Sequence, residues 1–143
     1  MITTVYPQAY VHLGRGRYGD LLTTDLRVLL ATSAYTPADT HTWLVDVNSN
    51  EVRDAPGYTP GGTPVTGRTY TLETTGRGAL GCFPVTWPEA GFTCRWAIVY
   101  AATADMTTSP LISRIDFEAD VTPQGLDLTL TFAALLRIGA GAP

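Results

Sequence analysis

Lysine is absent from this chain: all nine of its basic residues are arginine. That removes Schiff-base chemistry and the phosphate-gripping lysine of nucleotide-binding loops at one stroke. Histidine and cysteine are scarce, two of each. They show neither a C-x-x-C nor an H-x-x-x-H spacing, so a zinc centre has no basis in the sequence. Charged residues make up 15% of the chain with a net charge of −4, which gives no reason to expect a nucleic-acid partner. No apolar stretch approaches the roughly 18 residues that span a bilayer. LRVLLA and WAIVYAA are about strand length. The opening residues MITTVYPQAY lack the basic region and apolar run of a signal peptide. The expectation is a soluble protein, not exported by that route, with no membrane partner. A G-x-S-x-G elbow is missing and the acids are scattered singly through turns, so no catalytic residue, no cofactor and no metal ligand is expected.

What the chain does have is apolar patterning. With 143 residues, 45% of them hydrophobic, it reads as one domain over 1–143 that buries a core without staples. Leu26, Val28 and Leu30 alternate with Arg27, Leu29 and Ala31. Phe92, Cys94, Trp96, Ile98 and Tyr100 alternate with Thr93, Arg95, Ala97, Val99 and Ala101, and the second set is largely apolar too. A strand covered on both faces is central. Leu111, Ser113, Ile115 and Phe117 share a face of the next strand, and Leu126, Leu128, Leu130 and Phe132 form a stripe opposite Asp127, Thr129 and Thr131. Weaker strands are expected at 69–75 and 79–87, with turns at PGY, PGG, PEAG and TPQG. The fold class is mainly β, an antiparallel β-sandwich or barrel-like domain with one short helix. That helix is expected at 37–46, where Thr36-Pro37-Ala38-Asp39 resembles a capped start and Trp43, Leu44 and Val47 supply an apolar stripe. Residues 48–66, rich in Asn, Pro, Gly and Thr, read as a long interaction loop, and 1–20 as an N-terminal arm reaching a neighbour.

Several local patterns suggest chemistry and then fail. Gly14-Arg15-Gly16-Arg17-Tyr18-Gly19 spells G-x-G-x-x-G, but the following residues turn quickly into a strand, where a dinucleotide loop opens a helix. A flexible turn is the better reading. Asp46-Val47-Asn48-Ser49-Asn50 begins like a calcium loop, yet Glu51 stands where Gly is needed and Gly57 where the bidentate Glu belongs. His41 has Asp39 and Asp46 nearby without a third convergent ligand. If 79–87 and 92–102 form a hairpin closed by PEAG, Cys82 and Cys94 point to opposite faces, which favours two buried free thiols over a disulfide. In strands they also lack the electropositive setting that a nucleophilic thiolate paired with His12 or His41 needs. Arg95, Arg114 and Asp116 can form a cross-strand polar group, or a face that meets another subunit.

Two dense stretches carry more information than any of these. They are SAYTPADTHTWLVDVNSNEVRDAPGYTPGGTPV, over 33–65, and FTCRWAIVYAATADMTTSPLISRIDF, over 92–117. Together they resemble a group of small virion structural proteins of tailed bacteriophages. That group reads S-Y-T-P-D-x-D-T-H-x-F-L, N-E-V, G-Y-T-x-G-G, a Trp-bearing strand, R-Y-A-V-I-Y-D and S-P-L-I-G-Y-I-D-F. The match runs through Tyr35-Thr36-Pro37, Asp39-Thr40-His41, Asn50-Glu51-Val52, Gly57-Tyr58-Thr59 and Gly61-Gly62. It resumes at Trp87, Arg95 to Tyr100, Ser109 to Ile112 and Ile115-Asp116-Phe117. Trp96 replaces a Tyr, Ala101 an Asp, and Ser113-Arg114 a Gly-Tyr; FAALLRI stands where the group has a Trp and a polar turn, and the N-terminus matches poorly. The resemblance implies a virion protein assembled in the host cytoplasm. Its role would be capsid decoration or cement, or else a tail or fibre component. Partners would be the major capsid protein or tail proteins and further copies of itself, as a trimer or other small oligomer. A reading of another class is a carbohydrate-binding module, for which Trp43, Tyr58 and Trp87 would have to stand exposed as stacking platforms.

Overall fold

A strand that is apolar on both faces must be covered on both, and the chain places Cys94–Ala101 in the middle of a sheet with a core on each side. The computed structural model describes residues 1–74 and 76–139. In chain order it contains β1 (Ile2–Val5), helix α1 (Pro7–Gly14), β2 (Leu26–Ala31), β3 (Thr63–Pro64), β4 (Thr69–Leu72), β5 (Gly78–Gly81), β6 (Val85–Trp87), β7 (Cys94–Ala101), β8 (Leu111–Val121), β9 (Leu128–Leu130) and β10 (Leu136–Ile138). Five strands make the main sheet in the order β1-β8-β7-β2-β3. A three-stranded sheet, β10-β5-β4, and a pair, β6-β9, complete it, and every pairing is antiparallel. The domain is mainly β and sandwich-like, as the alternation implies. Among the described residues no helix is long and apolar enough to cross a membrane.

The two cores follow from the period-two geometry of β2 and β7. Val28 and Leu30 face one side with Ala97, Val99 and Ala101, where Leu80, Val85, Trp87, Leu130, Leu135 and Leu136 from the small sheets close over them. Leu29, Ala31, Ile98 and Tyr100 face the other side, covered by Tyr6, Tyr35, Leu44 and Val47 rather than by strands. Burying a side chain such as Leu30 or Ile98 contributes about 1.5–3 kcal/mol, so the front layer and back cover are both held largely by this sheet.

Several expectations change. The hairpin across PEAG does not form, because β6 pairs with β9, Trp87 standing opposite Leu128. The expected strand at 79–87 is two strands, β5 and β6, and the one at 69–75 ends at Leu72, with Thr75 outside the described residues. A register shift between Cys94 and Trp96 moves Cys94 onto the face of Ala97 and Val99. Both cysteines therefore approach the same core, as free thiols, Cys94 buried and Cys82 half-buried. The apolar stripe of 126–132 is short, since Leu126 stands exposed and only Leu130 is fully buried. In β8 a second shift, between Val99 and Tyr100, leaves Leu111 on the back core and Ile112 on the front.

The helix also lies elsewhere. Residues 37–46 are not helical beyond a single 3-10 turn at Leu44–Asp46. The reason is tertiary: the Leu44 N–H donates to the Ser109 carbonyl at 2.8 Å and the Leu111 N–H to the Thr42 carbonyl at 3.1 Å. Trp43 thus bridges Pro110 in extended form, and that pairing overrides the local cap signals. The α-helix is α1, opened by Pro7 in the first turn. Residues 1–20 are not a detached arm, because β1 pairs with β8 along its length and Tyr6, Ala9, His12 and Tyr18 are buried.

Candidate assembly surface

The motif residues of 33–65 and 92–117 build the back cover, the fastening along the β2 edge and part of the front core. Along the end of β2, the Val52 N–H donates to the Leu30 carbonyl and the Thr32 N–H to the Asn50 carbonyl. Tyr58 inserts beneath this segment, its hydroxyl accepting the Leu30 N–H at 3.1 Å. Glu51 accepts the Gly61 N–H at 2.9 Å, and burial raises its carboxyl above the usual range. The Tyr100 hydroxyl donates to the Gly61 carbonyl at 2.5 Å. Gly62 has φ +82° and lies against the Val28 carbonyl, where a Cβ would collide with backbone. The loop 48–66 is therefore fastened to the sheet at both ends and in the middle. Tyr35 makes a chain of hydroxyl contacts, to Tyr6 at 2.7 Å and to His41 Nδ1 at 2.9 Å, with Trp96 edge-on to its ring at 5.6 Å. The two motif stretches, distant in sequence, meet each other through these contacts.

Each candidate for chemistry has a structural occupation. α1 ends at Gly14, so the G-x-G-x-x-G run closes a helix rather than opening one. The Asp46 carboxylate accepts the N–H groups of Thr42 and Trp43, at 2.8 and 2.9 Å, holding the turn and not a calcium loop. Arg95 donates to Asp116 at 2.8 Å and holds its carboxyl below the usual carboxylate range. Arg114 does not join them; its guanidinium lies 5.0 Å over the Tyr6 ring. Burial pushes the Cys82 thiol up to about 11 and the Cys94 thiol up to about 12, far from a reactive thiolate. Tyr58 and Trp87 are buried, and Trp43 is half-covered with the Arg17 guanidinium 5.1 Å over its ring. Those three rings form no exposed platform for a sugar.

His12, weighed in the sequence only as a scarce histidine and as a partner for a thiolate, proves to be fully buried. Its Nδ1 lies 3.0 Å from Arg17 Nη1 and its Nε2 lies 2.9 Å from the Thr42 carbonyl. A guanidinium only donates and a carbonyl only accepts, so the ring is neutral with its proton on Nε2. Burial, reinforced by Arg17, lowers its pKa below the ordinary histidine value. This ring locks α1 to Trp43, 4.6 Å away.

The surface holds an open cleft of about 520 Å³ lined by Asp25, Arg27, Leu44, Tyr100 and Met106. Its polar groups are already paired, Arg27 with Asp25 and Tyr100 with Gly61, so they do not converge on a ligand. A more distinctive surface lies at the edge of the front layer. Among the described residues β4 ends the three-stranded sheet, with no strand beyond it. Tyr70 stands opposite Leu80, on the face that closes the core, yet it is 40% exposed, and Leu72 opposite Gly78 is 80% exposed. Phe83, 64% exposed, lies against Gly67 at the other end of the same hairpin. The cover simply ends before these side chains do. The expected strand at 69–75 hinted at this edge, but how far a core extends under a strand is decided by distant residues. Comparison with protein-family models, with curated proteins and with solved structures found no match.

Proposed function

We propose that this protein is a structural component of a tailed-bacteriophage virion, acting as a capsid decoration or cement protein that binds the head shell and other copies of itself. The observation that carries the reading is the use made of the shared residues. Tyr35, Asn50-Glu51-Val52, Tyr58, Gly61-Gly62, Arg95 to Tyr100 and Ser109 to Leu111 are all engaged in fastening one rigid β scaffold. A building block needs such a scaffold with uncovered edges, and the apolar edge at Tyr70, Leu72 and Phe83 supplies a surface suited to subunit contact. The resemblance favours the head shell over the tail only through the decoration role, and a tail or fibre position is the second reading within the same class. Electron cryo-microscopy of the intact particle tests both. Density for this domain on the capsid lattice supports decoration, density on the tail moves the assignment there, and its absence from every particle overturns the virion reading.

A further inference from the structure

On the free edge of β4, uncovered apolar side chains and outward-pointing backbone groups belong to the same residues. The Glu73 N–H donates inward, to the Arg77 carbonyl at 2.7 Å. In an antiparallel pair, the N–H and C=O of one residue point to the same side, and the side alternates along the strand. Thr69 and Thr71 therefore face β5 like Glu73, while Tyr70 and Leu72 direct their backbone groups away from it. Leu80 agrees: it stands opposite Tyr70, and its carbonyl accepts the Leu135 N–H on the far side, at 2.8 Å. The segment Thr69–Leu72 carries neither charge nor proline, the usual guards of a free edge.

We propose that β4 is a self-association edge, on which two copies pair antiparallel across a two-fold axis at Thr71, with Tyr70 of each opposite Leu72 of the other. A two-fold perpendicular to the sheet keeps like faces together, so residues of like parity must meet. Outward backbone groups must also meet outward groups. The register centred on Thr71 satisfies both rules for Tyr70 and Leu72 together and forms four main-chain hydrogen bonds. A register centred on Tyr70 instead sets Leu72 against Arg68. In the Thr71 register Thr69 faces Glu73 and no like charges stand opposite. The exposed Leu72 then packs on the Tyr70 ring of the second copy, and the two front sheets become one of six strands, β10-β5-β4-β4-β5-β10. One short edge per copy falls below the roughly 1,200 Å² of standard complexes, so association depends on concentration. The inference rests on the self-association in the reading above but not on the virion location.

The geometry gives a sharp test. Thr71 meets itself in a non-hydrogen-bonded pair, where the Cα atoms lie about 4.5 Å apart, within the range a disulfide spans. The variant Thr71→Cys is expected to give a covalent dimer under mild oxidation on a non-reducing gel. Leu72→Cys, which faces Tyr70, should not, and neither should the wild type, whose Cys82 and Cys94 are half-buried and buried. Adding Leu72→Lys to Thr71→Cys should lower the cross-linked yield by about tenfold. Circular dichroism checks that each variant is folded. A folded Thr71→Cys that cross-links no better than wild type overturns the proposal, as does a Leu72→Cys that cross-links equally well. Either failure leaves the particle experiment untouched.

Discussion

The two faces of the central sheet are covered by opposite means. On the front, two small sheets lay Leu80, Val85, Trp87, Leu130 and Leu135 onto β2 and β7, and the cohesion is apolar contact. On the back, the segment from Tyr35 to Val47 is tied down by hydrogen bonds to backbone and hydroxyls, as is the loop to Gly62, which runs along the β2 edge and sends Val52 and Tyr58 into the front core. The difference has an energetic consequence. Apolar packing is lost in proportion to the volume removed, whereas one hydrogen bond contributes about 0.5–1.5 kcal/mol net. It has a topological one as well: strands leave edges, as β4 does, and a fastened loop leaves none.

The largest effect is expected on the front. Trp87 is 1% exposed, and Trp87→Ala should cost about 3–5 kcal/mol of unfolding free energy. Its counterpart on the back is Tyr35→Phe, which keeps the ring against Trp96 and deletes the contacts to Tyr6 and His41. That change should cost about 1–2 kcal/mol. Urea titration of the two variants measures both, and near-equal losses would break the contrast between the faces. Gly62→Ala sharpens it from the other side. A positive φ together with the Val28 carbonyl in the path of a Cβ should make this single methyl cost about 2 kcal/mol or more. The strongest point of the loop's fastening is then a backbone contact and not a side chain.

A smaller, pH-dependent effect belongs to His12. Its folded pKa is lowered from 6.5, so below the unfolded value the unfolded chain binds the proton more readily. The stability that neutral His12 contributes is fully present above about 6.5 and is lost as pH falls toward the folded value. The charged group facing the ring is the Arg17 guanidinium, on the turn after α1, with Tyr18 and Trp43 the aromatic neighbours. Protonation would turn the Arg17 contact into a repulsion. His12→Gln keeps a donor for Thr42 and cannot titrate, so its melting temperature should fall less steeply between pH 7 and pH 5 than that of the wild type. Parallel slopes would remove His12 as the latch.

What was legible in the sequence divides along the same line as the faces. β2 and β7 could be read because their apolar residues serve both faces, which no helix or edge strand would require. The antiparallel, mainly β class followed from them. The back cover was legible as a set of motifs but not as a shape. Thr36-Pro37-Ala38-Asp39 carries helix-start signals, and only the pairing of Thr42 and Leu44 with Ser109 and Leu111 explains why the chain stays extended there. Pro7 is a weaker signal for α1, which has neither a capping side chain nor an acid in its first turn, and an eight-residue helix shows too few turns for a period to register. In the front layer the misreadings concern pairing. Nothing local in 79–102 says that Trp87 finds Leu128 rather than Phe92. The β4 edge was hidden for a related reason, since Tyr70 and Leu72 alternate correctly for a core that stops short of them.

The smallest expected effect tests how closed the front core is. Cys94 lies in it with no exposed surface, while Cys82 packs against its margin and is only half-buried. Burial drives both thiols up, Cys94 to about 12 with Asp120 adding to the effect, and Cys82 to about 11 with Arg68 opposing it. Alkylation needs the thiolate and an approach path. At pH 8 a maleimide should therefore label Cys82 slowly and Cys94 only through opening of the front layer, which mass spectrometry of peptides can separate. Urea below the unfolding midpoint should accelerate Cys94 more than Cys82, because its reaction must wait for β7 to lose its cover. Equal rates for the two in the absence of urea would mean that the small sheets lift off the main sheet readily, and the front layer would then be the looser cover of the two.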